Sequence, residues 1–207
     1  MPRRWLRKAA VIYHEQPRPF FLEGALDCGY LQELLARTEL LSGEDKRLIK
    51  PLTLQEVDTF HLMLAVRGKL HYGLTADRLL PLHVRGSGIS SEEFAAMIAA
   101  PDLVTLAGHA VGRAMDRLPT QQQTGAEPVT LEPARLEALA GNRFLRLANR
   151  AFRQSHMGLG AVAGYLGLRR VEVANLITLS EGLRIGVAAG EMRARLIPSA
   201  ELERAYV

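Results

Sequence analysis

The stretch EVDTFHLMLAVRGKLHYGL, Glu56 to Leu74, decides how the rest of this 207-residue chain is read. Its apolar residues recur at three- and four-residue spacing, the periodicity of a helix. Thr53 and, three residues on, Glu56 are predicted to form a capping box, in which hydroxyl and carboxylate satisfy each other's backbone N–H groups, with Gly73 as the expected stop. Yet the stretch carries Asp58 and His61 near its start and Gly68 between Arg67 and Lys69 near its end. Asp58 and His61, three residues apart, share one helix face. Buried there, they need hydrogen-bond partners and fix the registry of neighbouring helices. A glycine inside a helix costs about 1 kcal/mol relative to alanine, so Gly68 is expected where another backbone comes close.

The same pattern recurs. DTFHLMLAVRGKL from Asp58, set above EVANLITLSEGLR from Glu172, pairs Asp58 with Glu172, His61 with Asn175, Leu62 with Leu176 and Gly68 with Gly182. After a one-residue slip, Gly73 and Gly186 both end their helices, and each is followed by a short amphipathic helix running into LLP or LIP. A unit of about 100 residues used twice accounts for this.

Working outward, almost every segment reads as helix and strand signals are nearly absent. A helix is predicted from Pro19, and a short one, EDKRLIK, opened by Ser42 with Asp45 and ended by Pro51. Then come ADRLL halted by Pro81, EEFAAMIAA behind the Ser90–Glu93 capping box, and a helix from Asp102 to about Arg117. The polar LPTQQQTGAEPVTLEP is the candidate boundary. Beyond it, long helices are predicted over PARLEALAGNRFLRLANRAFRQ and from about Gly160 to Ile185, then a short one to Ile197. The expected organisation is a basic segment 1–18, a first unit 19–117, a linker 118–130 and a second unit 131–207.

Composition excludes several classes. Hydrophobic residues at 48% and charged residues at 23% match globular usage, so wholesale disorder is not expected. The one cysteine, Cys28, allows neither an intramolecular disulfide nor a cysteine-built metal site and reads as a small buried apolar residue in a reducing compartment. The N-terminal MPRRWLRKAAVIYHEQPR is basic without the apolar run of a signal peptide, and no uninterrupted apolar span is long enough to cross a membrane. A net charge of +4 is only a mild bias, since acidic residues are interspersed nearly everywhere.

At the paired stretches the sequence resembles the C subunit of V/A-type rotary ATPases (ATP synthases), whose eukaryotic counterpart is the d subunit. EVDTFHLMLAVRGKLHYGLTADRLLPL is similar to the family's central copy and LRRVEVANLITLSEGLRIGVAAGEMRARLIP to its C-terminal copy. FFLEGALDCGYLQELL resembles its acidic-plus-aromatic helix, with Asp27 and Tyr30 in the matching places. His61 stands where the family usually has Asn, and two of the family's usual three units are visible. The resemblance implies an all-α, funnel-like arrangement of helical repeats, here open, and a non-catalytic central-stalk adaptor between rotor shaft and membrane proteolipid ring. It also implies torque transmission for proton or sodium transport, no cofactor, no nucleic acid, and a cytoplasmic place peripheral to the membrane. The residues expected to bind partners or set registry are Asp58, His61, Arg67, Lys69, Glu172, Asn175, Glu181 and Arg184, with Gly68 and Gly182 serving close packing. Charge reversal at Arg67 or Arg184 is expected to weaken assembly more than reversal within ELERAYV.

Other chemistries fit less well. Asp58-x-x-His61 has the spacing of a di-iron ligand pair in a helical bundle, but its counterpart is Glu172-x-x-Asn175, and Asn is a poor iron ligand. GLGAVAGYLG lacks the preceding strand a dinucleotide loop needs and reads as a glycine-rich helix start packed on a neighbour. Arg143, Arg146, Arg150 and Arg153 form a basic helix face, read first as solvated, with an acidic partner, anionic lipid or nucleic acid as the alternatives. A helical scaffold of the same fold outside the ATPase, and more weakly a basic nucleic-acid binder, are the competing functions.

Overall fold

The computed structural model describes residues 18–118 and 131–198, with a few scattered positions before Arg18. The linker from 119 to 130, the closing ELERAYV and most of the basic segment lie outside the described residues. Within them the chain is all-α, with eight helices and no sheet strand. In order they are α1 (Pro19–Glu39), α2 (Gly43–Leu70), α3 (Ala76–Leu79) running into a 3₁₀ turn (Leu80–Leu82), α4 (Ser91–Ala99), α5 (Leu103–Gly108), α6 (Pro133–Gln154), α7 (Leu159–Arg184) and α8 (Ala189–Arg195).

α2 is the axis of the molecule. At 28 residues it extends roughly 40 Å. Pro51 does not end it, contrary to the expectation from sequence, and lies inside one continuous helix. The penalty of a missing N–H at that turn is offset by packing, because the flanking Leu48 and Leu52 are buried against Ala148 and Ala151 of α6. The predicted Thr53–Glu56 capping box therefore does not exist. Thr53 is buried mid-helix, its Oγ1 3.0 Å from that of Thr38 on α1, and Glu56 reaches across to α7. Ser42 does stand at the N-cap, but its side chain makes no capping bond. Asp45 accepts the N–H of Gly160 instead, tying the start of α2 to the start of α7.

α1 enters on Pro19, whose fixed φ suits a first turn. It lays Phe21 and Ala25 against Leu62, Ala65 and Val66 of α2 in a core that also takes Phe94 and Met97 of α4 and Leu136, Leu139 and Ala140 of α6. Residues on both sides of the linker thus share one apolar cluster. Further along α1, Cys28 and Leu31 close over Val57 and Val84. Cys28 is buried, as expected.

The predicted helix from Asp102 to Arg117 stops at Gly108. Asp102 caps it through the Thr105 N–H as a helix start should. The chain then turns through Gly112, at φ 78°, and its carbonyls leave the helical ladder for distant partners. Gln55, fully buried on α2, donates to the carbonyl of Ala114 at 2.7 Å and that of Ala140 at 3.2 Å. Arg143 on α6 donates to Gln55 Oε1 and to the carbonyls of Arg113 and Gly112, and its Nε lies 3.1 Å from Asp116 Oδ1.

α6 and α7 form a tight antiparallel hairpin. Gly164 and Gly167 face α6, and a Cβ at Gly164 would run into the backbone nitrogen of Phe152, while Gly160 packs against Leu48 of α2 and Ser155. Gly68 and Gly182 differ from expectation in what approaches them, which is a side chain and not a backbone. Leu79 fills the space over Gly68 and Met192 that over Gly182.

Candidate partner-binding cleft

Four helices, α1, α2, α6 and α7, surround an open cleft of about 590 Å³. Its apolar lining includes Phe60 and Met63 of α2 and Phe144 of α6. Across it run two ion pairs between helices. Arg170 of α7 meets Glu56 of α2 at 2.6 Å, with its guanidinium 5.6 Å above the Phe144 ring, and Arg67 of α2 faces Glu137 of α6 at 3.9 Å. Tyr30 of α1 lines the cleft with about 63% of its surface exposed. Asp27, one turn earlier, lines it too. Burial, with Glu23 nearby, holds the Asp27 carboxyl above its usual pKa range. Of the three lining carboxylates Asp27 stands outside both pairs, so the cleft keeps one negative charge in excess of its two guanidiniums.

Of the residues singled out by sequence, Arg67 lines this cleft. Asp58 and His61 point elsewhere, into the loop that follows the 3₁₀ turn. Asp58 Oδ1 accepts the Ile89 N–H at 2.9 Å and His61 Nε2 accepts the Val84 N–H, also at 2.9 Å. Both side chains are almost wholly buried. Burial pushes the Asp58 carboxyl up, partly countered by the N–H groups of Ile89 and Gly88, and pushes the His61 ring down to about 3, aided by His83 stacked on it at 4.5 Å. The Nε2 lone pair of His61 is thus spent on a backbone N–H, and the Asp58 carboxylate also serves the loop backbone. Among the described residues no group of three or more His, Cys, Asp or Glu stands close enough to hold a metal.

Lys69 donates to the carbonyl of Ile98, in the last turn of α4. Glu172 and Glu181 are exposed on α7 and pair within the helix, with Arg169 and Arg184. Asn175 grips the peptide of Ile197 from both sides, accepting its N–H at 2.9 Å and donating to its carbonyl at 2.6 Å. The aligned His61 and Asn175 each hold backbone beyond the next short helix, whereas the aligned Asp58 and Glu172 do different things. The basic face of α6 is largely committed: Arg143 and Arg146 both pair with Asp116, and Arg150 bonds Gln154.

Reading by sequence missed Glu56, Arg170, Glu137 and Phe144. Glu56 is claimed by the expected helix cap, and nothing local shows that Arg170, 114 positions away, is its partner. Asp27 and Tyr30 are visible only through the resemblance.

The profile of the ATP synthase (C/AC39) subunit family matches residues 3–195, nearly the whole sequence. The chain belongs to that family. It is similar to the C subunit of the A-type ATP synthase of Methanosphaera stadtmanae, with 22% identity over 220 residues that cover 96% of this chain and 49% of that protein. It therefore spans about half the length of this relative. No solved structure matches it significantly. Among the described residues of this family member, no helix is long and apolar enough to cross a membrane.

Proposed function

We propose that this chain is a non-catalytic adaptor in the central stalk of a V/A-type ATPase, linking a rotor shaft subunit to the proteolipid ring and carrying torque between them during proton or sodium transport. Family membership supports the setting, and the observation that carries the reading is the cleft. A rigid four-helix frame presents an apolar floor, an exposed tyrosine and two cross-helix ion pairs, the lining of a protein-binding groove. Nothing in it resembles an activated nucleophile or an acid/base pair. Its excess carboxylate, Asp27, favours a basic side chain on the inserted segment. Such a part sits on the cytoplasmic side, peripheral to the membrane.

Co-purification from the same organism tests the proposal. The chain is expected to retain a shaft subunit or the proteolipid ring, and Arg170→Glu, which breaks the Glu56 pair and inverts charge in the cleft, is expected to lose the shaft subunit. Arg195→Glu, in an exposed pair on α8, serves as control. Retention of neither component by the unmodified chain, or equal loss with both variants, sinks the reading.

A further inference from the structure

A second cavity, of about 580 Å³, shares no lining residue with the cleft and lies between the start of α2, the loop before α4, the turn after α5 and the middle of α6. Its volume falls within the roughly 300–1,000 Å³ of a small-molecule site. Three separate segments bring cations to it: Lys46, Arg47 and Lys50 from α2, Arg113 from the turn and Arg143 from α6. Asp58 is the one carboxylate among the described residues that line it, and it serves the N–H groups of Ile89 and Gly88. Arg143 is also spent, on Gln55, Asp116 and the carbonyls of Gly112 and Arg113. The other four cations are held far more loosely.

Among the described residues no ion pair holds Arg113, whose side chain runs across Gly88, where a Cβ would lie 3.2 Å from the arginine Cδ. Lys46 and Lys50, one turn apart, share a single carboxylate, Glu39, at 3.0 and 2.7 Å. Arg47 meets Glu44 at 3.4 Å. Partly exposed pairs of this kind are weak and yield to a ligand of higher charge. Even with Glu39, Glu44 and Asp116 reaching in from outside the lining, the five cations face four carboxylates, and Arg146 draws on the same Asp116. Guanidinium forks and lysine ammonium groups converging on one concavity with positive charge in excess suit the oxygens of phosphate. We propose that this cavity binds a small anion carrying two or more phosphate groups, with Arg113, Lys46, Arg47 and Lys50 contacting it and Arg143 holding the wall. The proposal does not rest on the shaft reading, and the two fail independently.

Isothermal titration calorimetry of the full chain with inorganic tripolyphosphate at low salt is expected to show a single bound molecule per chain, with affinity falling as salt rises. Arg113→Gln and Lys50→Gln each raise the dissociation constant about tenfold or more, the loss of one charge-assisted contact. Arg195→Gln, on α8, leaves it unchanged. Both site variants keep their helical circular dichroism, since Lys50 gives up only its exposed pair with Glu39 and Arg113 no ion pair among the described residues. Co-sedimentation with phosphatidylcholine vesicles, with and without phosphatidylinositol bisphosphate, separates two sources of the phosphates. Retention by the phosphorylated lipid alone, reversed by tripolyphosphate, assigns them to a headgroup, and tripolyphosphate binding without retention assigns them to a free molecule. Absence of tripolyphosphate binding at low salt, binding indifferent to both substitutions, or equal affinity for oligoglutamate overturns the proposal.

Discussion

The N–H of Val84 can only donate, so the His61 Nε2 it meets carries a lone pair and the ring proton sits on Nδ1, which is buried with no partner among the described residues. Protonating the ring would cost the bond to Val84, and this is the structural side of a pKa near 3. Because that value is below the ordinary 6.5, the unfolded chain takes up its proton first as pH falls. The stability present above 6.5 is lost between 6.5 and about 3, by up to about 1.4 kcal/mol per pH unit. Asp58 acts with the opposite sign: its raised pKa lets the native carboxyl take up a proton first, so its share rises as pH falls through the folded value. His61→Asn keeps an acceptor and removes the titration, so its Tm is expected to fall less steeply than that of the unmodified protein across this window. Parallel slopes would show that the ring is not the sensor. At Asp27 the raised pKa means the ionised form is held at a cost. Asp27→Asn is therefore expected to leave thermal stability at neutral pH unchanged or slightly higher while weakening capture of the shaft subunit, a split that a merely structural residue would not show.

Among the elements, the α6–α7 hairpin depends on small residues at one seam. Gly164→Ala drives a methyl group against the Phe152 nitrogen and to 2.7 Å from the Ala148 carbonyl, where backbone cannot rotate away. A loss of about 2–3 kcal/mol is expected in urea denaturation, and an unchanged midpoint would mean that the hairpin yields easily. Gln55 knits α2 to α6 and to the turn after α5, with bonds to Ala114, Ala140 and Arg143. Gln55→Leu strands those groups in a buried site and is expected to cost on the order of 3 kcal/mol by the same measurement. These elements also show what local pattern can disclose. The Ser90–Glu93 capping box is present as expected, because both of its bonds lie within four residues. The helix predicted through Arg117 fails because Gln55 and Arg143, which claim its carbonyls, are 59 and 30 or more positions away.

For the whole molecule, the cleft exists only when α1, α2, α6 and α7 stand around it. Arg67→Glu brings two carboxylates together beside Glu137, and pairing it with Glu137→Arg restores opposite charges. Capture of the shaft subunit is expected to drop with the single reversal and recover at least in part with the double, while equal capture by all three chains would remove this pair from the interface. The exposed 3.9 Å pair contributes little to folding, so its effect belongs to binding and not to stability.

Local pattern is enough to specify the all-α class, the extents of α1, α6 and α7, the Gly73 and Gly186 stops and the burial of Cys28. These follow from periodicity, capping chemistry and polarity acting over a few residues. Packing between distant segments is what keeps Pro51 inside a helix, bonds Thr53 to Thr38 and fills the space over Gly68 with Leu79. It also walls the cleft with Glu56 and Arg170 and with Arg67 and Glu137. Each of these joins groups far apart in the chain, where packing energy outweighs local preference and no spacing in the sequence records the partner.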